Sequence, residues 1–141
     1  HGLDLFLQLT GEEASVVGAQ TSTHGLGTAV EDYASVMLRS ASGVAGFIEV
    51  SNLCPNMAGK ADFHVSGGAG TLVMTGDSAH LITSAGTETL KLDAVEKPSL
   101  TILKDTIRSV HEGKPPPASV EDCYQVVKLI DSAYALATRA A

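Results

Sequence analysis

The sequence is poor in cysteine, with only Cys54 and Cys123 present. They have neither CxxC spacing nor the paired spacing of zinc ligands, so the sequence predicts no disulfide framework and no zinc site. We expect both to be buried, reduced thiols, because free cysteine is among the most buried residue types. The four histidines that follow His1 are scattered along the chain, at His24, His64, His80 and His111. Isolated histidines favour structural roles, and no metal is predicted.

Positive charge is also scarce. Nine Lys and Arg residues stand against 16 Asp and Glu residues, which gives a net charge of -7 with histidine neutral. No basic cluster could neutralise the phosphates of a nucleic acid, so nucleic acid is excluded as a partner. Apolar runs are interrupted well before the ~18 residues of a membrane helix, and no basic-then-apolar leader opens the chain. We expect a soluble, cytoplasmic protein with no membrane partner.

The composition that remains is that of a packed globular protein. Hydrophobic side chains make up 44% of the 141 residues and charged side chains 18%. This length and composition suffice for one core, so we expect residues 1–141 to form a single domain. The first residue is His1 and not an initiator Met, and we expect the chain to be a fragment of a longer protein.

Short runs of β-branched and small residues, separated by Gly, Asn, Asp and Ser, predict seven strands. They are expected near residues 14–23, 31–40, 43–52, 61–66, 70–75, 79–83 and 87–92. Ala41-Ser42-Gly43 predicts a tight hairpin between the second and third strands. Short connections favour antiparallel pairing, since parallel strands need crossovers of about a dozen residues or more.

Three helices complete the predicted elements. The first covers residues 2–9. The second starts at Pro98 and ends at Gly113, and the third is capped by Ser119 with Asp122 and runs almost to the end of the chain. The apolar face expected on the second helix consists of Leu100, Leu103, Ile107 and Val110. The face expected on the third consists of Cys123, Val127, Ile130, Tyr134 and Ala137.

Strands followed by helices predict an α+β fold, with a mostly antiparallel open sheet and helices packed on one face. The side of the second strand expected to face the helices carries Ala34, Val36 and Leu38. The other side is also apolar, at Tyr33 and Met37, with Phe47 on the next strand. A water-facing sheet surface would be polar, and large exposed apolar patches mark interfaces. We therefore predict self-association through this open face, with these three residues as candidate contacts.

Two glycine clusters fall short of a dinucleotide-binding fingerprint. Gly25-Leu26-Gly27 lacks the third glycine, because Val30 stands in its place. The cluster at 67–70 lies between two predicted strands, whereas a phosphate cradle needs a following helix. Both clusters are better explained as turns. This chain by itself is predicted to bind no dinucleotide.

A family resemblance is carried by an ordered set of segments. The set is His1-Gly2-Leu3-Asp4-Leu5, Leu9-Thr10-Gly11, Val16-Val17-Gly18-Ala19, Val30-Glu31-Asp32-Tyr33-Ala34, residues 43–51 and Gly67-Gly68-Ala69-Gly70-Thr71-Leu72. In this order and spacing, and in its final long Ala-rich helix, the sequence resembles the C-terminal domain of the Gfo/Idh/MocA (glucose-fructose oxidoreductase / inositol dehydrogenase) oxidoreductases. The resemblance spans almost all of residues 1–141.

The resemblance implies a glyceraldehyde-3-phosphate-dehydrogenase-like C-terminal domain that helps to oxidise a sugar or polyol hydroxyl. It implies NAD or NADP in the full-length enzyme, held by an N-terminal Rossmann domain that is absent from this chain, and a homodimer or homotetramer formed through the sheet. His1 matches the family's catalytic histidine, which works beside a Lys of the cofactor domain. That Lys, and an Asp four residues before the histidine, fall outside this chain. An imidazole suits the role because it can take part in moving the hydroxyl proton near neutral pH.

Several residues keep a second interpretation. His1 could be a tag remnant or the last residue of a loop. Asp4 could steady the imidazole or simply suit the helix dipole. Residues 96–98 spell Glu-Lys-Pro, the family's catalytic Lys tripeptide, but they follow the last strand and open a helix, so we interpret the match as coincidence. Glu31 and Asp32 match the family pattern, but charge before a strand can be solvated or serve the interface of the sheet, and neither residue is assigned a catalytic role.

Two broader alternatives also stay open. The loop at 52–60 could border the substrate or a neighbouring subunit, although most exposed loops do neither. The chain as a whole could be a non-catalytic assembly or small-molecule-binding module of the same fold. A free-standing hydrolase is disfavoured, because the sequence has neither a nucleophile elbow nor a paired-carboxylate pattern.

Overall fold

The computed structural model describes residues 1–27, 29–53, 62–76, 78–92 and 97–137. The helices are α1 (Gly2–Thr10), α2 (Pro98–Glu112) and α3 (Val120–Ala137). The strands are β1 (Ala14–Ser22), β2 (Tyr33–Ser40), β3 (Ala45–Ser51), β4 (Asp62–Gly67), β5 (Gly70–Thr75), β6 (Ser78–Thr83) and β7 (Gly86–Leu90). Every predicted strand is observed, and its ends lie within two residues of those expected. The last four residues, which the sequence assigns largely to α3, lie outside the described part of the chain.

The fold is α+β, as predicted, and the strand pairs in the described residues are antiparallel, where the sequence predicts a mostly antiparallel sheet. The described strands form two sheets, with orders β1-β2-β3 and β4-β5-β6-β7. The chain divides into two compact units, the first comprising His1–Cys54 with Lys104–Ala141 and the second Pro55–Leu103. The first sheet belongs to the first unit and the second sheet to the second, and the division between the units falls within α2.

In the first unit, the hairpin between β2 and β3 forms where the sequence predicts it. The Ser40 N–H donates to the Val44 carbonyl at 2.9 Å, and the Gly43 N–H donates to the Ser40 carbonyl at 3.0 Å. Gly43 has φ 94°, a conformation that favours glycine. Met37 consequently pairs with Phe47, and both side chains lie on the same face of the sheet.

The opposite face of this sheet is covered by α1 and α3, which also contact each other. Leu38 lies on this covered face and is 1% exposed. It pairs across the sheet with Gly46, where the absence of a side chain leaves room for Phe6 of α1. From α3, the core receives Leu129 and Ala133. The covered face therefore holds the hydrophobic core of the first unit.

The face of α3 that packs differs from the one predicted. Leu129 is 5% exposed and Ala133 is buried, whereas Val127, Ile130 and Tyr134 of the predicted face are exposed. The helix carries apolar residues on both sides, so periodicity alone did not distinguish the buried side. The cap is as predicted, because Ser119 Oγ accepts the Asp122 N–H at 3.1 Å and Asp122 Oδ2 accepts the Ser119 N–H at 2.9 Å.

The second helix, α2, has the predicted span and no buried residue. The four residues of its predicted apolar face are all exposed, at Leu100, Leu103, Ile107 and Val110. Pro98 is its first residue, as expected for a helix start. The helix ends at Gly113, which has φ 64°.

The second unit contains the four-stranded sheet. Its strands alternate so that one face carries Phe63, Met74 and Leu90 around the buried Ala79. The other face carries mainly histidine and hydroxyl side chains, among them His64, His80, Ser66, Thr71 and Thr89. The sheet is therefore apolar on one side and polar on the other, the usual pattern for an antiparallel sheet.

Candidate functional site

His1, the candidate catalytic residue, is the N-cap residue of α1. Its carbonyl accepts the Leu5 N–H at 2.9 Å, and its side chain makes no capping hydrogen bond. The residue is exposed, so its imidazole is accessible to a ligand. Asp4 lies in the first turn of the same helix and is also exposed, where a carboxylate suits the positive end of the helix dipole.

The direction of α1 determines which end of the sheet His1 approaches. A Cβ at Gly2 would lie 2.9 Å from the Ile48 side chain, and a Cβ at Gly46 would lie 2.5 Å from Phe6. The helix thus runs from Ile48 toward Gly46, opposite to the direction of β3. His1 precedes Gly2 and therefore lies toward the C-terminal end of β3.

Asp32 ties together the strand ends at this same end of the sheet. Its N–H donates to the Ser22 carbonyl at 2.9 Å, which closes the end of β1. Its carbonyl accepts the Asn52 N–H at 2.9 Å and the Ser51 hydroxyl at 3.3 Å, at the end of β3. Its side chain reaches the β1–β2 loop, where Oδ2 accepts the Leu26 N–H at 2.7 Å. One residue thus connects three chain segments.

Asp32 is 2% exposed, so its carboxylate is not the solvated charge that the sequence allowed. Its Oδ1 is buried and has no hydrogen-bond partner among the described residues. A buried carboxylate is costly unless its hydrogen bonds offset the loss of water. Glu31, its neighbour, is exposed, and its carboxylate accepts the Tyr134 hydroxyl at 3.4 Å. The sequence signal was the acidic pair itself, but the burial of Asp32 depends on contacts with residues distant in sequence.

The β1–β2 loop also touches the segment that follows β3. Gly25 lies so close to Leu53 that a Cβ at Gly25 would overlap the Leu53 side chain. The Leu53 N–H donates to Ser51 Oγ at 3.0 Å, which directs the chain back toward the loop. Two loops are therefore held against each other at the sheet end that His1 approaches. Residues 54–60 of the loop predicted to border a ligand lie outside the described part of the chain.

An acidic depression of about 340 Å³ lies beside α1 and is lined partly by Asp4, Glu12, Glu13 and Asp122. Two of these carboxylates have their own protein donors. The Ser42 backbone N–H donates to Glu12 at 2.8 Å and, with the Ser40 and Ser42 hydroxyls, lowers the pKa of Glu12. The Ser119 hydroxyl and N–H lower the pKa of Asp122. These two acids therefore act as local anchors of a hairpin and a helix.

The glycine clusters lie in turns, as predicted. Gly67 pairs with Gly70 at the β4–β5 hairpin, and a Cβ at Gly70 would overlap the Ile82 carbonyl. The cluster at 25–27 lies in the β1–β2 loop, and each cluster is followed by a strand. In the described residues, neither glycine cluster therefore has the geometry of a dinucleotide cradle.

Lys97 lies immediately before α2, and its carbonyl accepts the Leu100 N–H at 2.8 Å. The interpretation of residues 96–98 as a helix start is supported by this bond and by Pro98 at the first helical position. Glu96 lies outside the described residues.

Cys123 is exposed, so its predicted burial is wrong. It belongs to the face of α3 that periodicity predicts to be buried, and Val127, Ile130 and Tyr134 of that face are exposed as well, which explains the error. Cys54 lies outside the described residues.

Within the described ranges, no group of three or more His, Cys, Asp or Glu side chains is arranged to hold a metal ion. No helix in those ranges is long and apolar enough to cross a membrane.

The α+β architecture, with α1 and α3 on one face of an antiparallel sheet, is that of an oxidoreductase C-terminal domain. Residues 1–73 match the model of the GFO/IDH/MocA C-terminal domain. The chain belongs to this family, as its sequence resemblance predicts. The match starts at His1 and covers α1, the whole first sheet and most of the β4–β5 hairpin. No curated protein matches the chain.

Solved structures share the fold over almost the entire chain. Levoglucosan dehydrogenase in complex with NADH and L-sorbose superposes with a TM-score of 0.85 at 21% identity, covering 99% of this chain and 47% of its own. An oxidoreductase domain protein from Kribbella flavida gives 0.84 at 17% identity, with coverage of 99% and 46%. Aldose-aldose oxidoreductase from Caulobacter crescentus, complexed with glycerol, gives 0.83 at 19% identity, with coverage of 99% and 44%. The chain spans a little under half the length of these structures.

Proposed function

We propose that this chain is the substrate and oligomerisation part of an NAD(P)-dependent oxidoreductase that acts on a sugar or polyol hydroxyl. The observation that carries the proposal is the family match, which begins at His1. Two of the similar structures support the substrate class, since one holds L-sorbose with NADH and the other glycerol. The fold alone would not specify a substrate, because one fold hosts many chemistries.

In the proposed reaction, the part assigned to this chain is handling of the hydroxyl proton. His1 is exposed at the start of α1, so its imidazole can reach a bound hydroxyl. A histidine is suited to accept or relay that proton because its charge changes near neutral pH. Asp4, in the first turn of the helix, could orient the imidazole or only stabilise the helix terminus.

The cofactor is assigned to a Rossmann domain outside this chain. The glycine turns of the described residues do not fit a dinucleotide, because neither leads into a helix. We expect the 141-residue chain to show no dehydrogenase activity and no saturable binding of NAD or NADP in calorimetric titration. Micromolar binding would contradict this assignment.

A substrate screen on the full-length protein tests the proposed reaction. The purified protein is incubated with NAD+ or NADP+ and a panel of pentoses, hexoses, cyclic polyols, glycerol and L-sorbose, and the reduced cofactor is measured at 340 nm. We expect reduction with at least one sugar or polyol. A folded protein that reduces neither cofactor with any member of the panel would favour the alternative of a non-catalytic assembly or small-molecule-binding module.

The oligomerisation role rests on the open face of the first sheet. Met37 is 53% exposed and Phe47 is 64% exposed, and the two lie side by side across β2 and β3. Tyr33, two rows away on the same face, is half-buried. A two-fold axis would apply this apolar pair to its own copy, forming a homodimer or, with a second interface, a homotetramer.

Light scattering tests this role with a matched pair of variants. Met37→Lys places a charge in the proposed interface and should shift the mass toward the monomer at tens of micromolar. Leu9→Lys is the control, because Leu9 is equally exposed but belongs to α1 on the covered side of the sheet. A monomeric wild-type chain, or a dimer that Met37→Lys leaves intact, would contradict the interface.

A further inference from the structure

The β1–β2 loop and the segment after β3 meet at one end of the first sheet. The direction of α1 places His1 toward the same end. Asp32 is the residue that joins them, through its N–H, its carbonyl and Oδ2. A short loop held by a buried carboxylate has a defined position, which a loop held only by exposed bonds lacks. The anchored loop and the candidate catalytic residue therefore lie toward the same end of the first sheet.

We propose that Asp32 is a positioning residue that holds residues 23–27 as one wall of the sugar-binding site at the N-terminus of α1. This inference rests on the proposed function, since it assumes that a sugar binds beside His1. The wall presents exposed side chains, at His24 and Leu26, together with the backbone of two glycines. An imidazole and an apolar side chain suit the alternating hydroxyl and C–H surfaces of a sugar ring. The loop would therefore contribute to sugar affinity and selectivity, and not to proton transfer.

The two carboxylate oxygens of Asp32 have different surroundings. Two substitutions at Asp32 can therefore distinguish a positioning role from a requirement for negative charge. Oδ2 makes the 2.7 Å bond to the Leu26 N–H, while Oδ1 has no partner among the described residues. Asp32→Asn can keep an acceptor toward Leu26 and place its amide nitrogen where Oδ1 now lies. Asp32→Ala removes the acceptor and leaves the Leu26 N–H without it.

The close approach of Gly25 to Leu53 offers an independent way to displace the same loop. Gly25→Ala would break the present contact between the loop and Leu53, because the new methyl group overlaps the end of the Leu53 side chain, which must turn away. The double variant Gly25→Ala/Leu53→Ala removes the overlapping atoms. If loop position is what matters, the second substitution should largely reverse the effect of the first.

Steady-state kinetics of the full-length enzyme, with the best sugar from the panel above, test the proposal. Asp32→Ala should raise KM for the sugar about tenfold, as expected for the loss of one hydrogen bond to a charged group, and leave kcat within about threefold. Asp32→Asn should stay within about threefold of wild type in both constants. Gly25→Ala should raise KM, and the double variant should lie closer to wild type. Asp131→Ala, an exposed acid on α3, is the matched control and should change neither constant.

Hydrogen exchange of the peptide spanning residues 23–27 provides a second readout. Asp32→Ala should accelerate its exchange while Asp32→Asn should not, and the bound sugar should protect it in wild type. An unchanged KM in a folded Asp32→Ala enzyme, equal damage by Asp32→Asn, or a sugar that leaves this peptide unprotected would overturn the proposal. If Asp32→Ala does not fold, the Gly25→Ala series decides. A wild-type enzyme inactive on the whole panel would instead refute the proposed function, and the sugar-binding wall with it.

Discussion

The side of α3 that packs on the first sheet can be tested with two neighbouring substitutions, Leu129→Ala and Val127→Ala. Leu129 is 5% exposed, and its truncation removes buried carbon atoms and leaves a cavity. Such changes typically cost about 2–5 kcal/mol of unfolding free energy. Val127 is 50% exposed. Val127→Ala removes two methyl groups that are about half buried. Since a fully buried methylene contributes about 0.8 kcal/mol, the two together should cost only about 0.8 kcal/mol. The two variants should therefore differ by more than about 1 kcal/mol.

Urea unfolding followed by circular dichroism at 222 nm measures this difference, since the signal reports on the helices. Ala is a strong helix former, so helix propensity does not oppose either substitution. The slope of the transition should be unchanged, which would show that only stability differs. Equal losses for the two variants, or a larger loss for Val127→Ala, would mean that α3 packs through the face predicted from periodicity and that the structure has the helix rotated.

Two further predictions concern the polar anchors of the first unit. Ser119→Ala should lower the unfolding free energy by about 1 kcal/mol, because it removes the cap of α3. Ser132→Ala, at an exposed site within the same helix, should change it by less than about 0.5 kcal/mol. Equal effects of the two variants in urea unfolding would contradict the role of Ser119 as a cap. The Ser42 N–H lowers the pKa of Glu12 from its ordinary value of 4.5. The ionised carboxylate therefore stabilises the fold above pH 4.5, and this stabilisation is lost as the pH falls through the lower pKa of the folded state. Glu12→Gln should therefore lower the urea midpoint at pH 7 and converge with wild type as the pH falls below the folded-state pKa of Glu12, and a constant offset as the solution is acidified would refute the linkage.

Elements specified by local sequence were predictable. The β2–β3 hairpin depends on Gly43, which has positive φ, and the α3 cap on Ser119 with Asp122, and both occur as expected. Pro98 and Gly113 mark the two ends of α2, because proline suits the first helical position and glycine the residue after the last. These signals operate over four or five residues and need no knowledge of the rest of the fold.

The features that were missed depend on distant contacts. α3 carries Leu129 and Ile130 as adjacent apolar residues, and only its packing against β1 determines which is buried. How the described strands divide into two sheets is likewise not encoded in the hairpins, because hairpins specify only neighbouring pairs.

For the candidate site, the sequence points to His1 through the family resemblance and to the acidic pair at residues 31–32. It does not show that Asp32 is buried or that it joins the ends of β1 and β3. That role arises from bonds to residues up to twenty positions away, at Ser22, Leu26, Ser51 and Asn52. A short polar motif before a strand can be either a solvated pair or an anchor, and the tertiary structure determines which.

The measurement that tests the central claim most directly is the turnover of the full-length enzyme with His1→Ala. A positioned acid-base group typically contributes about 100-fold to 10,000-fold, so kcat should fall by that factor while the urea midpoint stays near that of wild type. His111→Gln is the matched control, since His111 is an exposed histidine at the end of α2, and it should leave kcat unchanged. A folded His1→Ala enzyme with wild-type turnover would show that His1 only begins the helix, and would contradict its assignment to proton transfer.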